Sequence, residues 1–404
     1  MSEMVGQRIR TAFLCDRLGP YHLARLNAAN RLAAITAIEF SLRDDTYAWD
    51  LCTDKARFSR ITLFKDKPIS MQPRRVVAKR VRAVLEALCP HVVVISGWDA
   101  PASLTALTWC LETKTSTVMM SESQQQDEPR VWWKEALKGR IVQLSDAGFV
   151  GGTPHKAYLN ILGMPEELIF TGCDVVDNEY FAQGAESARR NAADLRKQYD
   201  LPERYFLVSS RFVQKKNLSR VLQAYARYLK NSEDKQWKLI FLGDGPFKGQ
   251  IINLREELRL NEMVLLPGFA QYPDLPVYYG LAGAFILAST SEQWGLVVNE
   301  SMASGLPVLV SSSCGCAPDL VKEGTNGFMF NPYDVEGLSH HLSHVANDES
   351  LRNAMGAAGC EIIAGWSPEL FAQNLKSAID VAIQTPQKGF SLADKMILKA
   401  LIRK

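Results

Sequence analysis

Short, continuous apolar runs recur along this chain with helix-like stretches between them, and that rhythm constrains its fold more than any other feature. RTAFLC at 10–15, HVVVISG at 91–97, STVMM at 116–120 and AGFV at 147–150 form a first series. YFLVSS at 205–210, WKLIFLG at 237–243, EMVLLPG at 262–268, GAFILAS at 283–289 and LPVLVSS at 306–312 form a second. Each run is apolar throughout rather than at every second position. Such strands are buried on both faces, as in a parallel sheet covered by helices. The expected fold class is α/β, with two doubly wound domains whose ligand groups collect in loops at the carboxyl ends of the strands.

A length of 404 residues suits two domains of roughly 200 residues each. The segment 182–200, AQGAESARRNAADLRKQYD, is polar, charged and free of apolar runs, which makes it the best boundary candidate. This places a first domain at 1–180, a second at 181–368 and further helices at 369–404. A net charge of only +2 gives no whole-chain field that would argue for nucleic acid as a partner. No stretch approaches the ~20 apolar residues of a membrane-spanning helix, and no export signal stands at the start. Those features, with eight scattered cysteines, lead to the expectation of a cytoplasmic protein whose cysteines are reduced core residues. Cys314 and Cys316, flanking Gly315, are the two least readily assigned to that inert role.

Chemistry concentrates between Ser291 and Phe330. Here the run GAFILAS ends in a loop holding Glu292, and Gly295, Leu296 and Val297 open a helix that carries Glu300. A helix start offers unpaired N–H groups and the positive end of the macrodipole, an arrangement suited to a diphosphate. Glu300, further along that helix, can accept hydrogen bonds from ribose hydroxyls. Glu292, on the other side of the phosphates, can accept them from a sugar. Arg211 and Lys216 follow YFLVSS in the segment SSRFVQKKNL. A forked guanidinium and a point-charge ammonium at one loop suit a diphosphate leaving group, although a solvated basic loop has the same composition.

Two glutamates separated by seven residues, followed by ASGLPV, resemble the signature of the retaining glycosyltransferases known as glycosyl transferases group 1, or glycosyltransferase family 4. That resemblance is strong over about 200–370. It implies the GT-B fold, two facing Rossmann-like domains with a cleft between them. It further implies sugar transfer from a UDP- or GDP-sugar to a glycan, a lipid-linked or a small-molecule acceptor, with retention of anomeric configuration. Arg211, Lys216, Glu292 and Glu122 are then the catalytic candidates. Gly19, Gly243 in LGDGP, Gly268 in LPGF, Glu292, Gly295, Leu296, Val297 and Glu300 are the donor-binding ones. No cofactor is required beyond the nucleotide sugar itself, and no Asp-x-Asp motif calls for a metal. A nucleotide-sugar epimerase and a non-catalytic nucleotide-binding relative are the alternatives. A dinucleotide dehydrogenase is disfavoured because no G-x-G-x-x-G turn follows the first run.

The match frays in the first half. Relatives carry paired glycines after the first strand, where this chain has Gly19 followed by Pro20. Many also carry a sugar-contacting histidine after the third of the runs given above, where Ser121, Glu122 and Ser123 stand instead. None of His22, His91 or His155 fits that place by sequence order. Glu122 either contacts sugar or acceptor or caps the following segment. An inverting reaction would need a base there, and Asp16, Asp99 and Glu122 all follow apolar runs.

Arg74, Arg75, Lys79, Arg80 and Arg82 fall within nine residues on an expected helix. They suit anionic lipid or a lipid-linked acceptor, or form a solvated helix face. The tail SLADKMILKALIRK interleaves Lys395, Lys399 and Arg403 with Leu392, Met396, Ile397, Leu401 and Ile402. Such a helix either returns to the first domain or lies peripherally on the inner face of a membrane.

Overall fold

The computed structural model describes residues 8–42, 55–231, 236–386 and 388–403, arranged as two units. The first unit comprises Met1–Val175 together with Pro368–Lys404, and the second comprises Val176–Ser367.

The first unit is built on a seven-stranded sheet. Its strands are β1 (Arg10–Cys15), β2 (Ala34–Ser41), β3 (Ser59–Phe64), β4 (Val92–Ser96), β5 (Ser116–Ser121), β6 (Ala147–Val150) and β7 (Ile169–Thr171). They lie in the order β3-β2-β1-β4-β5-β6-β7, all parallel. Successive side chains leave opposite faces of each strand. Ala12 and Leu14 enter a core built with helices Arg74–Leu88 and Pro101–Thr113, whereas Phe13 meets Phe371 of helix Pro368–Gln384. That last helix also packs on helix Pro20–Ala29 and on β5 to β7, and helix Leu392–Arg403 packs on helix Pro101–Thr113. Arg140 holds the final helix by both oxygens of Asp394, at 2.6 and 2.7 Å.

The second unit has six parallel strands: β8 (Tyr205–Ser209), β9 (Lys238–Leu242), β10 (Val264–Gly268), β11 (Ala284–Leu287), β12 (Val308–Ser311) and β13 (Gly327–Phe330). Their order is β10-β9-β8-β11-β12-β13. The chain starts in the middle, runs to one edge and returns to fill the other side. Its strand order therefore reverses between β8 and β11, and the loops after those two strands open side by side.

The apolar runs mark nine of these thirteen strands; β2, β3, β7 and β13 were not expected. β2 is interrupted by Glu39, a fully buried carboxylate that accepts from Arg60 at 2.6 Å, from Thr62 at 2.5 Å and from the Leu18 N–H at 3.2 Å. β7 has only three residues, too short to show a pattern. The polar segment 182–200 lies within the second unit. Most of it forms helices Asn178–Arg190 and Ala192–Gln198. The first of these buries Phe181, Ala185 and Ala188, so small residues supply an apolar face without an apolar run.

Of the cysteines, Cys15, Cys110, Cys173, Cys314 and Cys316 are buried and free. Cys89 and Cys360 are exposed, contrary to the expectation of core cysteines throughout, and Cys52 lies outside the described residues.

Candidate active site

The second unit's site is assembled at the reversal of its strand order. After β8 the chain passes Arg211 and enters a single turn of 3-10 helix, Gln214–Lys216. It then reverses at Asn217, whose φ of 60° is left-handed. The Asn217 side chain donates to the carbonyls of Ala288, at 3.0 Å, and Pro332, at 2.7 Å, fastening this turn to the loop after β11. The Thr290 N–H donates to the Lys215 carbonyl at 2.8 Å and closes the same seam.

Across the seam Lys216 is ion-paired with Glu292. The carboxylate oxygen that receives Lys216 also accepts from the Ser289 hydroxyl at 3.0 Å. Both partners keep little exposure, 14% for Lys216 and 13% for Glu292, so the pair sits at a recessed surface where charge is poorly screened. Arg211 is exposed and has no acidic partner among the described residues. The backbone around Glu292 is fixed from the other side, because the Gly315 N–H donates to the Glu292 carbonyl at 3.0 Å and the Cys316 N–H to that of Trp294 at 3.2 Å. Cys314 and Cys316 sit behind this loop. Burial pushes both thiols up, with Glu292 adding to the effect, and such thiols are not nucleophiles.

Gly295 caps helix Leu296–Ala303 with φ 106°, a left-handed conformation that a side chain would strain. An added Cβ would also lie 2.8 Å from Leu287. The first-turn N–H groups of this helix have no preceding helical carbonyl to bond. Glu300 is buried one turn further on, and its Oε2 accepts from the Tyr279 hydroxyl at 2.5 Å. Burial, with the Glu300 charge beside it, pushes the Tyr279 hydroxyl well above its usual range, so it remains a donor.

Gly243 and Gly268 answer to the chain itself. Gly243 has φ 139°, its Cβ would stand 1.9 Å from the Ser210 carbonyl oxygen, and its N–H donates to the Gly268 carbonyl at 2.7 Å. These contacts hold the loops after β8, β9 and β10 together beneath Arg211. Gly268 has φ 94° with open space around its Cβ position, so its constraint is conformational.

In the first unit, Gly19 caps helix Pro20–Ala29 in an extended conformation, with its N–H donating to His22 Nδ1 at 3.3 Å. Gly152 and His155 repeat the device after β6, at 3.2 Å. Burial and the nearby Arg25 lower His22 to about 3, which leaves a neutral imidazole at ordinary pH. Arg25 is itself buried, donating to the Val175 carbonyl at 2.8 Å and pairing with Asp174 at 3.6 Å. Glu122 is exposed at the end of β5. In the turn that follows, Ser121 accepts from the Ser123 N–H at 3.1 Å and Asp127 from that of Gln124 at 2.8 Å. Asp16 and Asp99 are also exposed, in the loops after β1 and β4.

Comparison with known proteins bears on this arrangement. Residues 191–361 match the family described as glycosyl transferases group 1. The likeness to that family is carried by this segment, which is less than half of the chain. The match covers β8 to β13 and every second-unit candidate from Arg211 to Glu300. Among curated relatives, a sulfoquinovosyl transferase of Arabidopsis thaliana is 37% identical over 138 residues, covering 33% of this chain and 26% of the relative. An N-acetyl-alpha-D-glucosaminyl L-malate synthase of Bacillus anthracis is 25% identical over 206 residues, covering 50% and 52%. The chain thus spans about a quarter to a half of the length of these relatives.

Solved structures extend the likeness to both units. A sucrose-phosphate synthase from Thermosynechococcus elongatus superimposes with a TM-score of 0.70 at 18% identity, over 92% of this chain and 98% of that one. The Anabaena protein HepE, solved in complex with UDP, gives 0.70 at 16% identity, over 92% and 100%. The fold is accordingly GT-B.

Two residues of the second unit's site, Tyr279 and Asn217, and one capping residue of the first unit, His22, escaped the sequence reading. Tyr279 and Asn217 act through partners more than 20 positions away, which no local pattern reveals. His22 was set aside by order along the chain. A glycine three residues before a histidine, opening a helix, was the available signal, and it occurs twice.

Proposed function

We propose that this protein transfers a sugar from a nucleoside diphosphate donor, of UDP or GDP type, to a hydroxyl acceptor with retention of anomeric configuration. The observation that carries the reading is the convergence of Arg211, Lys216, Glu292 and the Gly295 helix start at the one point where the second sheet's strand order reverses. Two cations and a helix N-terminus offer fixed positive charge to the two phosphates, and most to the oxygen that gains charge as the glycosidic bond breaks. The nucleotide then lies toward Glu300, whose carboxylate receives ribose hydroxyls, and the sugar toward Glu292.

In this scheme the acceptor oxygen bonds to the anomeric carbon on the face that the phosphate leaves. The phosphate oxygen keeps the electrons of the broken bond and takes the acceptor proton. No side chain need become a nucleophile, and Arg211 and Lys216 stand where a metal ion would otherwise neutralise the leaving group. The names of the relatives include a glycolipid product and a malate product, which supports a hydroxyl acceptor without narrowing it further.

Incubating the protein with UDP- or GDP-sugars and candidate acceptors, and following nucleotide release and product anomer by NMR, tests this. Release coupled to a product of the donor's own configuration is expected. An inverted product would overturn the stereochemistry, and interconverted free nucleotide sugar would replace transfer with epimerisation.

A further inference from the structure

The structure brings together two basic segments that lie more than 300 residues apart in sequence. Helices Arg74–Leu88, Pro101–Thr113 and Leu392–Arg403 pack side by side in one layer of the first unit. The inward residues Val77, Val81, Leu85 and Leu398 enter one core, leaving the opposite faces of the two outer helices to solvent. On those faces Arg75, Lys79, Lys395, Lys399 and Arg403 are exposed, and Arg74 is exposed at the start of the first helix; none has an acidic partner among the described residues, and Lys395 also lies over the Phe390 ring at 5.2 Å. Other cations of the same layer are engaged: Arg82 with Glu112, and Arg80 with the Leu63 carbonyl and the Phe64 ring. Six uncompensated cations on one layer form a large local excess in a chain whose net charge is +2.

Apolar side chains stand among them. Met71 is 67% exposed just ahead of the first helix, and Leu392 and Met396 are 79% and 72% exposed on the last. Leu392, Met396, Lys399 and Arg403 follow one another at spacings of four, three and four, a single stripe along the helix surface. Long basic side chains beside exposed Met and Leu fit a surface that is negative outside and greasy just beneath. Nucleic acid would use the charge but not the aliphatic groups, and its usual aromatic stacking partners do not occur on these helix faces.

We propose that this layer docks the protein onto the surface of an anionic lipid bilayer, the cations meeting head groups and Met71, Leu392 and Met396 entering the interface. The proposal stands apart from the transfer reading, because the surface lies in the first unit and involves none of the donor-site residues.

The test is co-sedimentation of the full chain with vesicles of phosphatidylcholine alone and of phosphatidylcholine mixed with phosphatidylglycerol, without nucleotide. Binding to the mixed vesicles only, weakening with added salt, is expected. Replacing Arg74, Arg75 and Lys79 by Ala, or separately Lys395, Lys399 and Arg403, should each weaken binding about a hundredfold. Leu392→Ser with Met396→Ser should weaken it about tenfold while leaving the salt dependence in place. All the substituted side chains are exposed, so unchanged melting temperatures check the fold. Failure of the wild type to bind mixed vesicles, equal binding by the triple variants, or retention by duplex DNA in place of vesicles would overturn the proposal. Vesicle binding by a protein that takes no nucleotide would instead count against the transfer reading alone.

Discussion

Lys216 and Glu292, 76 positions apart in the chain, form an ion pair across the reversal point of the second sheet. The cation proposed for the diphosphate is thus held by the carboxylate proposed for the sugar. Donor binding then becomes an exchange, in which phosphate takes Lys216 and Glu292 turns to hydroxyls.

Glu292→Gln separates the two roles. Without the carboxylate's charge Lys216 is released to phosphate, and UDP should bind more tightly, by about fivefold or more, because a recessed and poorly screened pair no longer has to be broken. Sugar transfer should fall by about a hundredfold or more, as when one preorganised group at the reacting centre is removed. Calorimetric titration alongside initial rates checks both, and parallel losses in binding and turnover would contradict the exchange.

Glu300→Ala should weaken nucleotide binding while the diphosphate contacts remain. Tyr279→Phe removes the donor to a buried carboxylate and should lower stability by about 1–3 kcal/mol, read from denaturant unfolding. If Tyr279 serves to orient Glu300, the same variant raises KM for the donor more than it lowers kcat.

Gly243→Ala is expected to be among the most damaging single substitutions in the second unit. A Cβ 1.9 Å from the Ser210 oxygen, at φ 139°, cannot be accommodated without moving the loop that carries Arg211. A loss of about 3 kcal/mol or more follows from strain at such a position. Gly268→Ala meets no atom and should cost about 1 kcal/mol, from φ alone.

His22 supplies a pH dependence with a definite sign. Its ring is lowered from 6.5 to about 3 by burial and Arg25, so the folded protein holds it neutral where an unfolded chain would protonate it. Its contribution to stability is complete above pH 6.5 and is lost as pH falls from 6.5 toward 3. NMR titration should show no protonation of this imidazole between pH 8 and 5, whereas a midpoint near 6.5 would place the ring in open solvent.

The strand rhythm and the second-unit candidate residues are legible in the sequence because both are local. A buried parallel strand is a run of apolar letters, and the segment from Glu292 to Glu300 is nine consecutive positions. What the sequence does not reveal depends on contacts across the chain. β2 stayed hidden because Glu39 is tolerated in a strand only with Arg60 and Thr62 opposite it on β3. The polar segment 182–200 is helical because alanines, not large apolar residues, bury helix Asn178–Arg190, a face that no apolar run announces. For Gly243, a donor-binding candidate by sequence, the structure adds a constraint that no local pattern shows, the carbonyl of Ser210 where a Cβ would stand.

The most direct test of the central claim is thermal unfolding of the wild type and the Arg211→Ala and Lys216→Ala variants with uridine, UMP, UDP and the guanosine series. A ligand that binds only the folded state raises the melting temperature by mass action. The account predicts that one nucleoside diphosphate stabilises the wild type well beyond its monophosphate and nucleoside, and that either variant removes most of that increment. Equal shifts for nucleoside and diphosphate, or an increment untouched in both variants, would contradict a diphosphate site at Arg211 and Lys216.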